Sequence, residues 1–235
     1  MIEKERIITP TEVKEKLADL FDSLTPEQQQ LIFAHLKIHG YKKNEIIYNE
    51  GEIPTQLLCL LSGKVKIYKD GVGGRSQIMR VMNSVEYFGY RACFSGQAFI
   101  TSAAAFEPSI IVQIPLKIIQ DMIMENTQLG WFFIRRLATA LGTSDERTVN
   151  LTQKHIRGRL AESILFLREN YGVEEDGCTL SIYPSREDMA NLSNMTTSNA
   201  IRTLSTFAQE KLIAMEGRKI RILNQSELEK ISKFG

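Results

Sequence analysis

The sequence predicts an α+β protein in three parts: a β-roll entered through helices, one long helix, and a C-terminal pair of short helices backed by a β-hairpin. Three observations carry this. Between residues 41 and 115, short runs rich in Ile, Val, Leu and Tyr are separated by glycines, the texture of a compact antiparallel sandwich or barrel. After Thr127 the apolar residues recur at steps of three and four, the period of a helix. Across residues 185–221, two short helical patterns meet at a polar break and a strand–turn–strand pattern follows. The expected divisions are 1–125 for the roll with its leading helices, 126–154 for the long helix and 155–235 for the C-terminal part.

Taken in order, residues 1–40 read as a helical lead-in, with helical spacing over 10–24 and again over 25–39. Thr25-Pro26-Glu27 is a clean helix start. His35 and His39 lie four apart and would share one helical face, but no third ligand stands near them and no metal site is expected. The strands of the roll are expected at 45–48, 56–61, 64–68, 77–82, 101–106 and 109–114. Turns are expected at Gly51, Gly63, 71–74, Gly89 and Gly96. A barrel enzyme with a histidine-rich metal site is the natural rival. It fails because no histidine lies between Tyr41 and Gln153.

A short helix over 116–124 leads into the long one. Trp131, Phe132, Phe133 and Ile134 make the start of the long helix apolar all round, so it should be covered on more than one side. Ile134, Leu137, Leu141, Ser144, Thr148 and Leu151 then follow a coiled-coil seam, weakened by its two hydroxyl residues. One amphipathic helix packed within a monomer is the plain alternative. Residues 154–158 are a polar break, and 159–170 make another helix.

The stretch from Ser185 carries the most chemistry. Ser185 is a good N-cap, with Asp188 as a short-armed capping-box partner. Met189, Ala190 and Leu192 supply the buried side of a short helix, and Ser193-Asn194 break it. Thr196 or Thr197 caps a second helix whose apolar set is Ala200, Ile201, Leu204, Phe207 and Ala208. Thr197, Ser198, Asn199 and Arg202 are left outside. Residues 212–215 and 220–223 flank a basic turn, a wing beside the helices. This pattern suits a DNA reader, whose second helix points its first residues at base edges. Asn199 and Arg202 have forked groups that match adenine and guanine. Thr196, Thr197 and Ser198 would reach bases or phosphates, and Arg218 and Lys219 phosphates. A three-helix packing unit that touches no nucleic acid is the bland alternative.

Composition narrows the classes. The chain has 235 residues, is 43% apolar and 24% charged, and carries a net charge of +1, ordinary for a globular protein. Residues 154–235 also carry only +1, so a DNA reader of this kind must gather its cations on one face. No leader and no apolar run of membrane-spanning length is present, so the cytoplasm is the default and no membrane partner is expected. Cys59, Cys93 and Cys178 are too scattered and too few for a four-thiolate cluster, so an iron–sulfur cluster is not expected. No nucleophile–base constellation suggests an enzyme, and no catalytic residue is assigned.

The glycine-punctuated roll, the long helix, GRLAESILFL at 158–167 and SREDMANLSNMTTSNAIRTL at 185–204 together resemble the Crp/Fnr family of bacterial transcription regulators, over about residues 41–223. The resemblance implies a jelly roll of the cyclic-nucleotide-binding type and a winged helix-turn-helix. It further implies a homodimer on a two-fold symmetric double-stranded DNA operator, acting on RNA polymerase under an effector. The departures are specific. Cyclic-AMP-binding members carry Phe-Gly-Glu and later an Arg-Ser or Arg-Thr pair. Here Tyr90 stands at the Glu position and Ile100 at the Arg position. Losing the charged partner of a buried phosphate costs ~2–5 kcal/mol, enough to reject cyclic AMP held in the usual way. The N-terminal cysteine cluster of oxygen-sensing members is absent, and a haem stays open only through His35, His39, His155, Cys59, Cys93 or methionines. Tyr90, Arg91, Thr101 and Ser144 offer the polar groups a small anionic effector would need; the effector is unidentified. In the recognition helix Thr197 and Ser198 replace an Arg and a Glu, while Arg202 keeps the second Arg, so a different operator is expected. The rival from another class is a ligand-binding signalling protein whose winged domain contacts protein partners, a reading that the balanced charge supports.

Overall fold

The structure is a computed structural model that describes residues 8–71 and 76–234, without the side chains of 146–147 and 149–152. The described chain forms two compact units. Residues 8–69 and 80–141 belong to the first, and the remainder to the second.

The first unit opens with α1 (Pro10–Lys16), capped by Thr9 Oγ1, which accepts from the Glu12 N–H at 3.2 Å. The single helical segment expected over 10–24 is broken at Leu17 (φ −102°, ψ 30°), and α2 (Ala18–Phe21) follows. The apolar spacing survives the break: Val13, Leu17, Leu20 and Phe21 are all fully buried. Helix α3 (Pro26–His35) has a complete capping box, Thr25 with Gln28. It stops four residues short of the expected end. Leu36 turns extended, and β1 (Lys37–Tyr41) pairs antiparallel with β8 (Ser109–Pro115). Ile38, Gly40 and Tyr41 favour or tolerate strand over helix, and pairing with β8 decides the matter. His35 and His39 therefore lie on different elements and do not share a helical face.

Two four-stranded antiparallel sheets make the roll. One has the order β1-β8-β3-β6, with β3 (Gln56–Ser62) and β6 (Glu86–Phe88). The other has the order β2-β7-β4-β5, with β2 (Ile46–Tyr48), β7 (Ser102–Ala105), β4 (Val65–Asp70) and β5 (Ser76–Met82). All six expected strands are present, and β1 and β6 are additional. Leu58, Leu60, Val65, Phe88 and Ile111 fill the space between the sheets, with Tyr48 and Phe99 stacked at 3.8 Å between ring centres. Gly63 is required twice over: its φ is +87°, and a Cβ there would lie 2.4 Å from the Pro108 carbonyl oxygen. Helix α4 (Tyr90–Ser95) sits where only loop was expected, closed at both ends by left-handed glycines, Gly89 and Gly96.

Helix α5 (Leu116–Glu125) leads to α6 (Thr127–Gln153), both as the periodicity indicates. Phe132 and Phe133 enter the core, where they contact the rings of Tyr87 and Phe94. Trp131 and Ile134 do not; they are 60% and 51% exposed.

In the second unit, α7 (Ile156–Tyr171) buries Leu160, Ala161, Ile164, Leu165 and Leu167. It begins three residues earlier than the sequence suggested, because only Lys154 and His155 interrupt the helices. Helices α8 (Arg186–Leu192) and α9 (Thr197–Gln209) and the hairpin β9 (Ile213–Glu216) and β10 (Lys219–Ile222) follow as expected. A final helix, α10 (Gln225–Phe234), packs on α7 through Leu228 and was not foreseen.

Candidate nucleic-acid interface and effector site

Local chemistry fixes the two short helices. Ser185 Oγ accepts from the Asp188 N–H, and the Asp188 carboxylate accepts from the Ser185 N–H, both at 3.0 Å. Asn194 takes φ +48° and turns the chain, as its tolerance of the left-handed region allows. That turn is pinned to α7 at two points. Ser193 Oγ donates to Ser163 Oγ at 2.8 Å in a buried setting, and Arg159 Nη2 donates to the Asn194 carbonyl at 3.2 Å. Thr196, rather than Thr197, caps α9: its Oγ1 accepts from the Asn199 N–H at 3.3 Å. At the far end, Arg157 forks onto Glu210 at 2.8 and 2.7 Å and covers the Phe207 ring. The start, the turn and the end of the two-helix unit are thus all tied down.

Helix α9 buries Ala200, Leu204 and Phe207 completely, with Thr203 beside them. Thr196, Thr197, Ser198 and Arg202 are exposed and Asn199 is half-buried, so five of the residues expected to face DNA stand together at one helix start. Ile201 departs from expectation. It belongs to the outer face, not the core, and is 47% exposed. Its place in the apolar set came from counting steps of three and four, but the helix turns it one step past the edge of the core.

The wing turns through Gly217 (φ +58°) and Arg218. Lys219 is the first residue of β10 and not part of the turn. Its Nζ lies 3.6 Å from Glu174 and over the Tyr183 ring, whose hydroxyl also donates to Glu174. Arg221 faces Asp176 at 3.5 Å. Asp176 itself accepts from Thr179 Oγ1 and from the N–H groups of Thr179 and Cys178, which hold its carboxyl well below the usual range. Arg186 donates to the Gly217 carbonyl at 2.9 Å and sets the wing tip against the start of α8.

The expected effector residues are divided. Tyr90 opens α4, half-buried beside Phe133, and burial raises its hydroxyl pKa. Arg91 is exposed. Thr101 hydrogen-bonds Tyr48, whose hydroxyl pKa burial pushes up to about 12. Ser144 is exposed and belongs to the second unit. The cation beside Tyr90 is Arg80, which hydrogen-bonds it and also donates to the Ala140 carbonyl at 3.1 Å. Glu86 and Arg136 act on the same tyrosine electrostatically. Arg80 escaped sequence reasoning because a lone arginine in a strand pattern has no local signature. Arg136 is tied to Asp19, which also accepts from the Tyr87 hydroxyl at 2.7 Å, and its guanidinium lies over the Tyr87 and Phe132 rings.

Along α6, Trp131, Ile134 and Leu141 are exposed, Leu137 is half-buried, and Ser144 and Thr148 are exposed. The Leu151 side chain lies outside the described residues. Among the described residues no helix is long and apolar enough to cross a membrane.

Two family models match the chain: a cyclic nucleotide-binding domain over residues 38–126 and a Crp-like helix-turn-helix domain over 158–231. Together they span most of the sequence. The chain belongs to the Crp/Fnr family of transcription regulators. A CRP-like cAMP-activated global transcriptional regulator of Mycobacterium tuberculosis is 23% identical over 212 residues, 90% of this chain and 95% of that protein. The global nitrogen regulator of Synechococcus elongatus is 22% identical over 192 residues, 80% of this chain and 86% of that one. The solved structure of FixK2 from Bradyrhizobium japonicum superposes with a TM-score of 0.74 at 21% identity, over 83% of this chain and 96% of that one. In this Crp/Fnr regulator the roll, the long helix and the winged helix-turn-helix are the family's parts, and it is a DNA-binding transcription regulator. At Tyr90 and Ile100 it carries no charged side chain, and Ile100 is 54% exposed.

Proposed function

We propose that this regulator binds a palindromic operator as a homodimer, through α9, under the control of an effector other than cyclic AMP. The observation that carries the reading is the outer face of α9. Thr196, Thr197, Ser198, Asn199 and Arg202 stand together at the start of a helix held from both ends. Arg202 and Asn199 are assigned to base edges, the three hydroxyl residues to bases or phosphates, and Arg218 and Lys219 to phosphates. The exposed apolar row of α6 is assigned to the two-fold seam, so half-sites are centred ~34 Å apart. The functional divisions are 1–125, 126–154 and 155–235. Tyr90, Arg91, Thr101 and Ser144 are assigned to the effector, and Arg80, hydrogen-bonded to Tyr90, is assigned with them. RNA polymerase is the partner on the promoter and the cytoplasm the compartment; no catalytic role is assigned.

Selection from a random duplex library tests the reading. A symmetric motif is expected, and Arg202→Ala should relax it at one position per half-site, where a bidentate Arg–guanine contact is worth about 1–3 kcal/mol. No symmetric motif, together with salt-independent binding to bulk duplex, would favour a protein partner for the winged domain instead.

A further inference from the structure

We propose that Ile201 reads the C5-methyl group of a thymine in each half-site, and so is a specificity determinant beside Arg202. The inference rests on α9 being the helix that enters the major groove. Ile201 stands four residues after Thr197 and four before Ser205, so the three form one row along α9. Ser198 and Arg202 flank that row. All but Ile201 are polar, and all five are exposed. A single exposed isoleucine on a protein surface is ordinary and needs no explanation. This one lies beside Arg202 on the outer face of α9, and it is not among the buried residues of that helix, which are Ala200, Thr203, Leu204 and Phe207. It does not favour the helix either, because β-branched residues lose χ1 freedom there.

That stiffness suits recognition. In a helix Ile has one dominant χ1 rotamer, so the branched end is held at a fixed place on the face and costs little to order. The hydroxyls one turn on are already turned toward the backbone: Ser205 Oγ donates to the Ile201 carbonyl at 2.9 Å, and Thr206 Oγ1 to the Arg202 carbonyl at 3.1 Å. They leave an apolar spot bounded by a cation. In the major groove the complementary group is a thymine methyl beside a base pair that offers acceptors to the arginine. Cytosine, adenine and guanine present no methyl group there.

The test is a methyl scan on the selected operator. Each thymine is replaced by deoxyuridine, singly and in symmetric pairs, which removes the methyl and keeps every hydrogen-bonding group. At one symmetric position the wild-type protein should lose about fourfold in affinity per half-site and about 15-fold for the pair, the ~0.8 kcal/mol of a buried methyl-sized group at 1.4 kcal/mol per tenfold. Ile201→Ala should bind the thymine and uracil duplexes equally, while Arg202→Ala should still feel the methyl. Ile201 is 47% exposed, so Ile201→Ala should keep the fold, and circular dichroism of the variant checks it. If every uracil substitution changes wild-type affinity less than twofold, or if Ile201→Ala keeps the full sensitivity, the assignment is wrong although α9 still reads the operator. If no symmetric motif is selected at all, the base-reading role of α9 falls, and this assignment with it.

Discussion

Replacing Glu174 by Gln removes the negative charge that stands 3.6 Å from Lys219 Nζ on the wing. At that distance two unit charges in water attract by about 1 kcal/mol. The pair is open to solvent, with the lysine side chain 49% and the glutamate 32% exposed, so screening places its worth in the ~0.2–1 kcal/mol range of surface pairs. A phosphate that takes Lys219 must displace this carboxylate first. Removing it should therefore strengthen binding to any duplex by up to about fivefold per wing. The fold should be untouched, because a Gln oxygen can still accept from the Tyr183 hydroxyl and the Glu174 backbone is held by the Thr179 carbonyl at 2.7 Å. Fluorescence anisotropy with a random-sequence duplex across a salt series is the assay. Lys219→Ala should weaken binding to all sequences and flatten the salt dependence by about one unit of slope. Glu174→Gln should have no effect in that background, because the carboxylate acts through the lysine. An equal gain with and without Lys219 would show only a general charge effect, and no gain at all would show that the pair does not restrain the wing.

Three further outcomes follow from named residues. Leu137→Asp combined with Leu141→Asp should leave a monomer by light scattering, since like charges would meet at the two-fold seam; a wild type already monomeric at micromolar concentration refutes the seam. Calorimetry should detect no cyclic AMP binding at micromolar ligand, because Tyr90 and Ile100 leave the phosphate and ribose without charged partners, and micromolar affinity would show that Arg80 or Arg91 substitutes. Glu86→Gln should raise thermal stability at neutral pH, because burial raises the Glu86 carboxyl pKa despite Arg136 and Arg80 nearby. A carboxyl with a higher pKa folded than unfolded keeps its proton better in the folded state. The penalty is therefore full above the folded pKa and vanishes below the unfolded one, so the gain from Gln should shrink as pH falls through that window; a gain constant with pH refutes it.

What the sequence made legible was local. Capping at Ser185 and Thr25, the break at Asn194 and the six strands between glycines are each decided within a few residues, and all appear in the structure. What it hid depends on distant partners. Strand β1 looks helical until β8 pairs with it, and β6 is too short to show a period. Arg80 matters only because β5 carries it to Tyr90. Ile201 fits the apolar spacing of α9, and only the packed helix shows that it stands outside the core, 47% exposed. The core membership of Ala200, Leu204 and Phe207 was readable because those residues sit at the centre of the apolar stripe. An edge residue is decided by the neighbour, and the neighbour is not local.

The near-neutral charge of the chain, which favoured a protein partner when read alone, has a different meaning once the ion pairs are placed. Arg157 is held by Glu210, Lys154 by Glu162, Lys219 by Glu174 and Arg221 by Asp176. Cations held this way attract phosphates less than free ones do, Lys219 included until a phosphate displaces Glu174, and that attraction is the term that drives non-specific binding. Helix α9 carries no acidic residue from Thr197 to Gln209, so no carboxylate on its own helix would compete with a base edge for Arg202 in the proposed role. Specificity is a difference between two affinities, and it grows when the non-specific one is lowered as much as when the specific one is raised. A surface that pairs its cations off around one acid-free recognition helix lowers the first without touching the second. On that account the balanced charge supports discrimination among DNA sequences rather than arguing against DNA as the partner.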